Sequence, residues 1–228
     1  VHIPDGFLDA PVSVATGLVA VVGLTYCVRR AQSELDDKLA PMAGLTAAFI
    51  FAVQMLNFPV ALGTSGHLLG GALAAILVGP AAGAMCLAVV LLVQALFADG
   101  GLTALGANIT IMGLITAFGG YAIFSVLMRV LPRREGTLVL SAGIAAGLSV
   151  PLASTAFVLA FAFGGNVDLP LTGVLAAMTG VHVLIGIGEG LITALTVGTV
   201  LKTRPDLVHG ARRTLAAREL VVRSQVSV

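Results

Sequence analysis

Charge is confined to short clusters between long apolar stretches, and this constrains the fold more than any other feature. Apolar runs occupy Val12–Val28, Pro41–Leu56, Leu68–Phe97, Leu105–Met128, Leu138–Phe163 and Leu171–Leu201. The chain of 228 residues is 58% hydrophobic and 10% charged, with a mean hydropathy of +1.06. Soluble domains carry about 25% charged residues, so water is not the solvent these surfaces face. A helix crosses a hydrocarbon core of about 30 Å with about 20 residues. Leu68–Phe97 is too long for one upright span, and Gly79-Pro80 inside it breaks a helix.

The basic residues decide how that run is threaded. All 12 fall in four groups: Arg29, Arg30 and Lys38; Arg129, Arg133 and Arg134; Lys202 and Arg204; and Arg212 to Arg223. No Lys or Arg lies near His2, in Asn57–His67, in Ala98–Gly106 or in Gly164–Leu169. If Leu68–Phe97 crossed once, the Arg129 group would fall on the opposite side from the others. A short hairpin turning at Gly79-Pro80 brings every basic group to one side, which the positive-inside rule makes cytoplasmic. The expected fold is an all-α membrane protein, a bundle of seven transmembrane helices with the amino terminus outside and the carboxyl terminus cytoplasmic. Residues 1–202 form the membrane domain with its amino-terminal loop, and 203–228 a basic cytoplasmic tail.

Several classes are excluded. A net charge of +1 gives no basic field for nucleic acid. The first apolar run lacks the basic flank and short length of a cleavable signal. There is no phosphate-binding G-x-x-x-x-G-K-[ST], so this chain by itself has no means of using ATP, and no H-E-x-x-H or G-x-S-x-G of a hydrolase. Cys27 and Cys86 sit within apolar runs and read as packed thiols. Small residues recur every fourth position at Gly44, Ala48 and Ala52, at Gly70 and Ala74, at Gly143 and Gly147, and at Gly186 and Gly190. Such ridges pack helices within a bundle or present a face to a partner membrane protein.

The chain opens Val1-His2-Ile3-Pro4-Asp5-Gly6. A free α-amine, the amide of residue 2 and the His2 ring close a five- and a six-membered chelate around one ion. Three coplanar nitrogens suit Ni(II) or Cu(II), with Co(II) a third guest. Residue 1 gives only its backbone, so Val1 and a methionine specified by a GTG start codon serve equally. His67 is either an interfacial residue capping the next helix or the fourth nitrogen. Asp5, Thr64, Ser65, Asp99 and Asn108 are candidates to orient the rings from behind. Glu189 is the one charge deep in an apolar span, with His182 on nearly the same helix face. It is a structural tie between helices or, with His182, a proton relay.

Four blocks carry a family resemblance: His2-Ile3-Pro4-Asp5-Gly6-Phe7-Leu8-Asp9, Gly63-Thr64-Ser65-Gly66-His67-Leu68-Leu69-Gly70-Gly71, Asp99 through Asn108, and Ile185-Gly186-Ile187-Gly188-Glu189-Gly190-Leu191-Ile192. In this order they resemble the CbiM/NikM family, the substrate-specific membrane components of energy-coupling-factor (ECF) transporters of the ABC class for cobalt and nickel. The resemblance runs from residue 2 to about 200. It implies that Co(II) or Ni(II) is held by the amine of Val1, by the amide and ring of His2, and by His67. It also implies two cytoplasmic ATPase subunits, a transmembrane coupling subunit and a small accessory membrane protein. The chain departs from the family in having Val1 for the usual methionine and no fused accessory domain after the last span. The second departure tilts the expectation toward the stand-alone cobalt type that serves cobalamin synthesis. The rival expectation is a proton-coupled secondary metal transporter working through Glu189 and His182.

Overall fold

The computed structural model describes residues 1–34, 39–56, 58–61, 64–97, 99–212 and 214–215. The apolar runs become helices: α1 (Ala10–Glu34), α2 (Leu39–Gln54), α3 (Gly71–Val78), α4 (Pro80–Leu96), α5 (Leu105–Val130), α6 (Glu135–Gly164) and α7 (Leu171–Thr203). Of these, α1, α5, α6 and α7 are long and apolar enough to cross a membrane, while α2 and α4 are shorter apolar helices of 16 and 17 residues. Helices run past the apolar boundaries where a cap allows it. Thus α1 starts at Ala10 because Asp9 Oδ1 accepts the Val12 N–H at 2.9 Å, an N-cap contact.

The expectation of a purely helical chain needs one correction. Phe58–Ala61 (β1) and Thr64–Gly66 (β2) pair as a small antiparallel hairpin, in register Phe58 to Gly66 and Pro59 to Ser65. The segment is too short and too rich in small residues for a strand signal to stand out in the sequence. Residues 57, 62 and 63 lie outside the described part. The hairpin leads directly into His67.

The turn at Gly79-Pro80 forms as expected. Gly79 adopts φ +101°, a conformation an L side chain rarely takes, and Pro80 occupies the first turn of α4. A Cβ on Gly83 would lie 2.7 Å from the Ala75 nitrogen, so the two arms meet backbone to backbone. Every residue of α3 is buried, whereas α1 turns Val14, Leu18 and Val22 outward at four-residue spacing, 62%, 62% and 69% exposed. The first is the centre of the bundle and the second its lipid-facing rim.

The glycine ridges of α6 and α7 interlock. An added Cβ on Gly186 would lie 2.5 Å from the Gly147 carbonyl oxygen, and one on Gly190 would lie 2.8 Å from that of Gly143. The ridge Gly44, Ala48 and Ala52 on α2 instead faces outward. Cys27 and Cys86 are buried, and the Cys86 thiol donates to Ala43 O at 3.4 Å.

The two ends of the bundle differ in charge. Residues 1–9, 99–104 and 164–166 gather at one end, joined by Gly101 N–H to Ile3 O (2.8 Å), Asp9 N–H to Gly164 O (2.7 Å) and Asn166 N–H to Phe7 O (2.9 Å). Arg29, Arg30, Arg129, Arg133, Arg134, Lys202 and Arg204 lie at the far termini of helices that start or finish there. The chain after α7 folds back in two 3-10 turns, Pro205–Leu207 and His209–Ala211, and Gly210 packs on Phe124 and Ile76 beneath the α3–α4 turn. Residues 213 and 216–228 of the basic tail lie outside the described part.

Candidate metal centre

Chain termini are ordinarily among the least ordered parts of a protein. Here Val1 and Ile3 are fully buried and His2 is 5% exposed. Asn108 makes the tie, its Oδ1 accepting the Ile3 N–H at 2.8 Å and its Nδ2 donating to Ile3 O at 3.1 Å. Phe7 inserts between Phe157 and Phe161, ring centroids 5.6 and 5.3 Å away. Asp5 Oδ1 accepts both the backbone N–H and the hydroxyl of Thr103, at 2.7 and 2.5 Å, and these bonds hold its carboxyl below the usual range. Residues 1–9 therefore form a built loop.

His2 and His67 face one another with ring centroids 4.4 Å apart. His2 Nε2 lies 3.1 Å from Gln94 Oε1. Nδ1 is the nitrogen that closes the six-membered chelate. It lies 3.2 Å from Asp99 Oδ1, out of line for a hydrogen bond. The His2 contact, helped by the charge of the terminal amine, holds the Asp99 carboxyl low against its partial burial. His67, fully buried, donates from Nδ1 to its neighbour's carbonyl, Leu68 O, at 2.7 Å. Its lone pair sits on Nε2, which has no hydrogen-bond partner.

Burial removes positive charge from the remaining donors. It pushes the Val1 amine down from 8.0 to about 5, with Asp99 pulling partly the other way, and it holds His67 well below the usual imidazole range. Both are free bases at neutral pH, the form a metal requires. Among the described residues, no three His, Cys, Asp or Glu side chains are grouped to hold an ion.

The segment carrying His67 is clamped from both sides. Glu189 of α7, 2% exposed, accepts the N–H groups of Leu69 at 2.5 Å and Gly70 at 2.9 Å. Gln54 of α2 donates to Leu69 O at 2.6 Å. Of the orienting candidates, Asp99 reaches the His2 ring and Asn108 its backbone, while Asp5 is occupied with Thr103. The side chains of Thr64 and Ser65 lie outside the described part. Gln94 and Gln54 were not among the candidates. Each is a lone amide in an apolar run, and that was the available signal.

The buried His2 and His67 rings thus meet at one end of an apolar bundle. A family described as the cobalt uptake substrate-specific transmembrane region, CbiM, matches residues 2–207. The chain belongs to the CbiM family. It is 35% identical to the cobalt transport protein CbiM of Sorangium cellulosum, covering 91% of this chain and 94% of that one. It is also 35% identical to the fused nickel transport protein NikMN of Rhodobacter capsulatus, covering 96% of this chain and 66% of that one. A crystal structure of a truncated transition metal transporter superposes with a TM-score of 0.82 at 30% identity, over 89% of this chain and 99% of that one. This member of the CbiM family is thus a cobalt/nickel transport component, a multi-pass membrane protein and not an enzyme.

Proposed function

We propose that the chain captures Co(II) or Ni(II) at the outer face through four nitrogens: the amine of Val1, the amide and Nδ1 of His2, and Nε2 of His67. The observation that carries this reading is the close approach of the buried His2 and His67 rings, centroids 4.4 Å apart, with His67 Nε2 left without a hydrogen-bond partner. Leaving a buried polar atom unmatched costs about 1–3 kcal/mol, which a metal bond offsets. The chain acts as the substrate-specific component of an ECF-type importer, with two cytoplasmic ATPases, a transmembrane coupling subunit and a small accessory membrane protein. Confinement of the described Lys and Arg to the end opposite the nitrogens supports an outward-facing site.

The mechanism follows from the donors. A hydrated ion loses water to the buried loop, the His2 amide gives up its proton, and the amine, already neutral, needs to give up none. Partner ATPases then move the helices that clamp the His67 segment, α2 through Gln54 and α7 through Glu189, and the fourth ligand is withdrawn. Both ions accept this ligand set, and relatives named for each align over nearly the whole chain.

A proton relay through Glu189 fits less well, because both of its oxygens are engaged by the backbone of Leu69 and Gly70. Uptake by vesicles containing the complete transporter tests the reading. It requires ATP, tolerates collapse of the proton gradient, and stops with His2→Ala. Uptake driven by a proton gradient without ATPases would replace it with the secondary-transporter reading. The amine ligand further requires residue 1 to be the free amino terminus, which the mass of the amino-terminal peptide checks.

A further inference from the structure

The amino-terminal half of α7 carries a third imidazole that the four-nitrogen site does not use. His182 is fully buried, and its Nε2, like that of His67, has no hydrogen-bond partner. Its Nδ1 lies 2.7 Å from Met178 O, one turn back on the same helix. A carbonyl only accepts, so Nδ1 bears the proton and Nε2 the lone pair. His67 is prepared in the same way, by Leu68 O.

The surroundings of His182 fix where it faces. Met178 and Ile185, on the same side of α7, belong to the hydrophobic cluster that contains Val1, Ile3 and Leu69. Glu189, seven residues further along and nearly on the same face, grips the backbone of Leu69 and Gly70. His182 therefore stands two turns nearer the amino-terminal end of α7 than that grip, between two residues of the cluster that holds Val1, Ile3 and Leu69. Packing alone does not account for it, since Leu or Met would fill the space without an unmatched nitrogen. An ionisable side chain within a span is also a functional site by default.

We propose that His182 is a further metal ligand, taking Co(II) or Ni(II) on Nε2 as the planar site gives the ion up. The step is ligand exchange. Neutral His182 imidazole donates its lone pair as His67 Nε2 departs, an exchange in which no proton or electron moves, and the His2 amide takes a proton back from water when it in turn releases the ion. The ion thereby passes from a site built largely of backbone onto α7, the helix whose Glu189 holds the His67 segment. This inference rests on the capture reading above.

The test uses the full chain and Co(II). In a His2→Ala background the planar site is lost while His67 and His182 remain. Adding His182→Gln is expected to weaken the residual Co(II) affinity by at least about tenfold. Adding His182→Cys instead is expected to give a thiolate-to-Co(II) charge-transfer band that the His2→Ala chain lacks. In the complete transporter, His182→Gln alone is expected to slow uptake by about tenfold. Residual affinity unchanged within about twofold overturns the proposal, as does absence of the band in a His182→Cys chain that melts normally. If the unsubstituted chain binds Co(II) no more tightly than its His67→Ala variant, the capture reading itself has failed, a result distinct from either.

Discussion

At the amino-terminal end of the bundle, Asp5, Asp9, Asp99, Gln94 and Asn108 each hold a named part of the chain, and the terminus itself is buried. At the opposite end Arg204 and Asp206 form a forked ion pair at 3.0 and 2.9 Å, yet their side chains remain 56% and 42% exposed. Polar groups at the first end bond segments about a hundred residues apart in sequence, such as Asn108 to Ile3 and Asp5 to Thr103. Those of Arg204 and Asp206 pair with each other two residues apart and tie no distant segment. The difference teaches that a charged residue in a membrane protein is informative by what it orders, and only the first end orders a site.

Substitutions at the two ends therefore separate sharply. His67→Ala is expected to abolish high-affinity Co(II) and Ni(II) binding in calorimetric titration while leaving the fold intact, since the ring serves no other element. The acidity of the terminus comes next. An exposed amine titrates near 8.0 and the buried one at about 5. The undocked terminus alone takes up a proton between these values, so docking is fully favoured above about pH 8. It weakens by up to about tenfold per pH unit as the pH falls to about 5. Competitive acylation of the amine checks this; an inflection near 8 in the metal-free chain would show the terminus to be undocked.

Gly101→Ala attacks the loop without touching a ligand. Its Cβ would lie 2.3 Å from Asp5 N and 2.7 Å from the Pro4 carbonyl carbon, so the terminal loop must move. We expect affinity about thirtyfold weaker. Asn108→Ala removes both bonds to Ile3, a loss of about 1–3 kcal/mol for buried groups, and is expected to weaken binding about tenfold. Arg204→Ala, at the other end, should leave affinity within about twofold. A larger loss there than for Asn108→Ala would erase the contrast between the ends.

Much of this arrangement is legible in the sequence, for identifiable reasons. Helix positions follow from hydrophobicity, and the fold-back at Gly79-Pro80 follows from charge parity, which is a global constraint. His2 stands out because residue 2 has a fixed relation to an α-amine, whereas its pairing with His67 is legible only through the family resemblance. The β1–β2 hairpin is not legible, since its pairing depends on the helices around it. Asp99 and Asp5 look equivalent as acidic residues near the site, yet one reaches the His2 ring and the other caps Thr103. That distinction depends on a loop conformation the sequence does not encode locally. Glu189 is conspicuous as an isolated carboxylate, but its partners are backbone groups 119 and 120 positions away. Gln94 and Gln54 were visible as polar residues in apolar runs, and only the packed structure shows which atoms they hold.

The central claim is that the first nitrogen comes from residue 1 itself. Titrating Ni(II) into two purified chains, one with the native terminus and one lengthened by a single amino-terminal residue, tests it directly. The account predicts that the added residue, which carries the amine away from the five-membered chelate, weakens binding by at least about a hundredfold. Equal affinity of the two chains would contradict it.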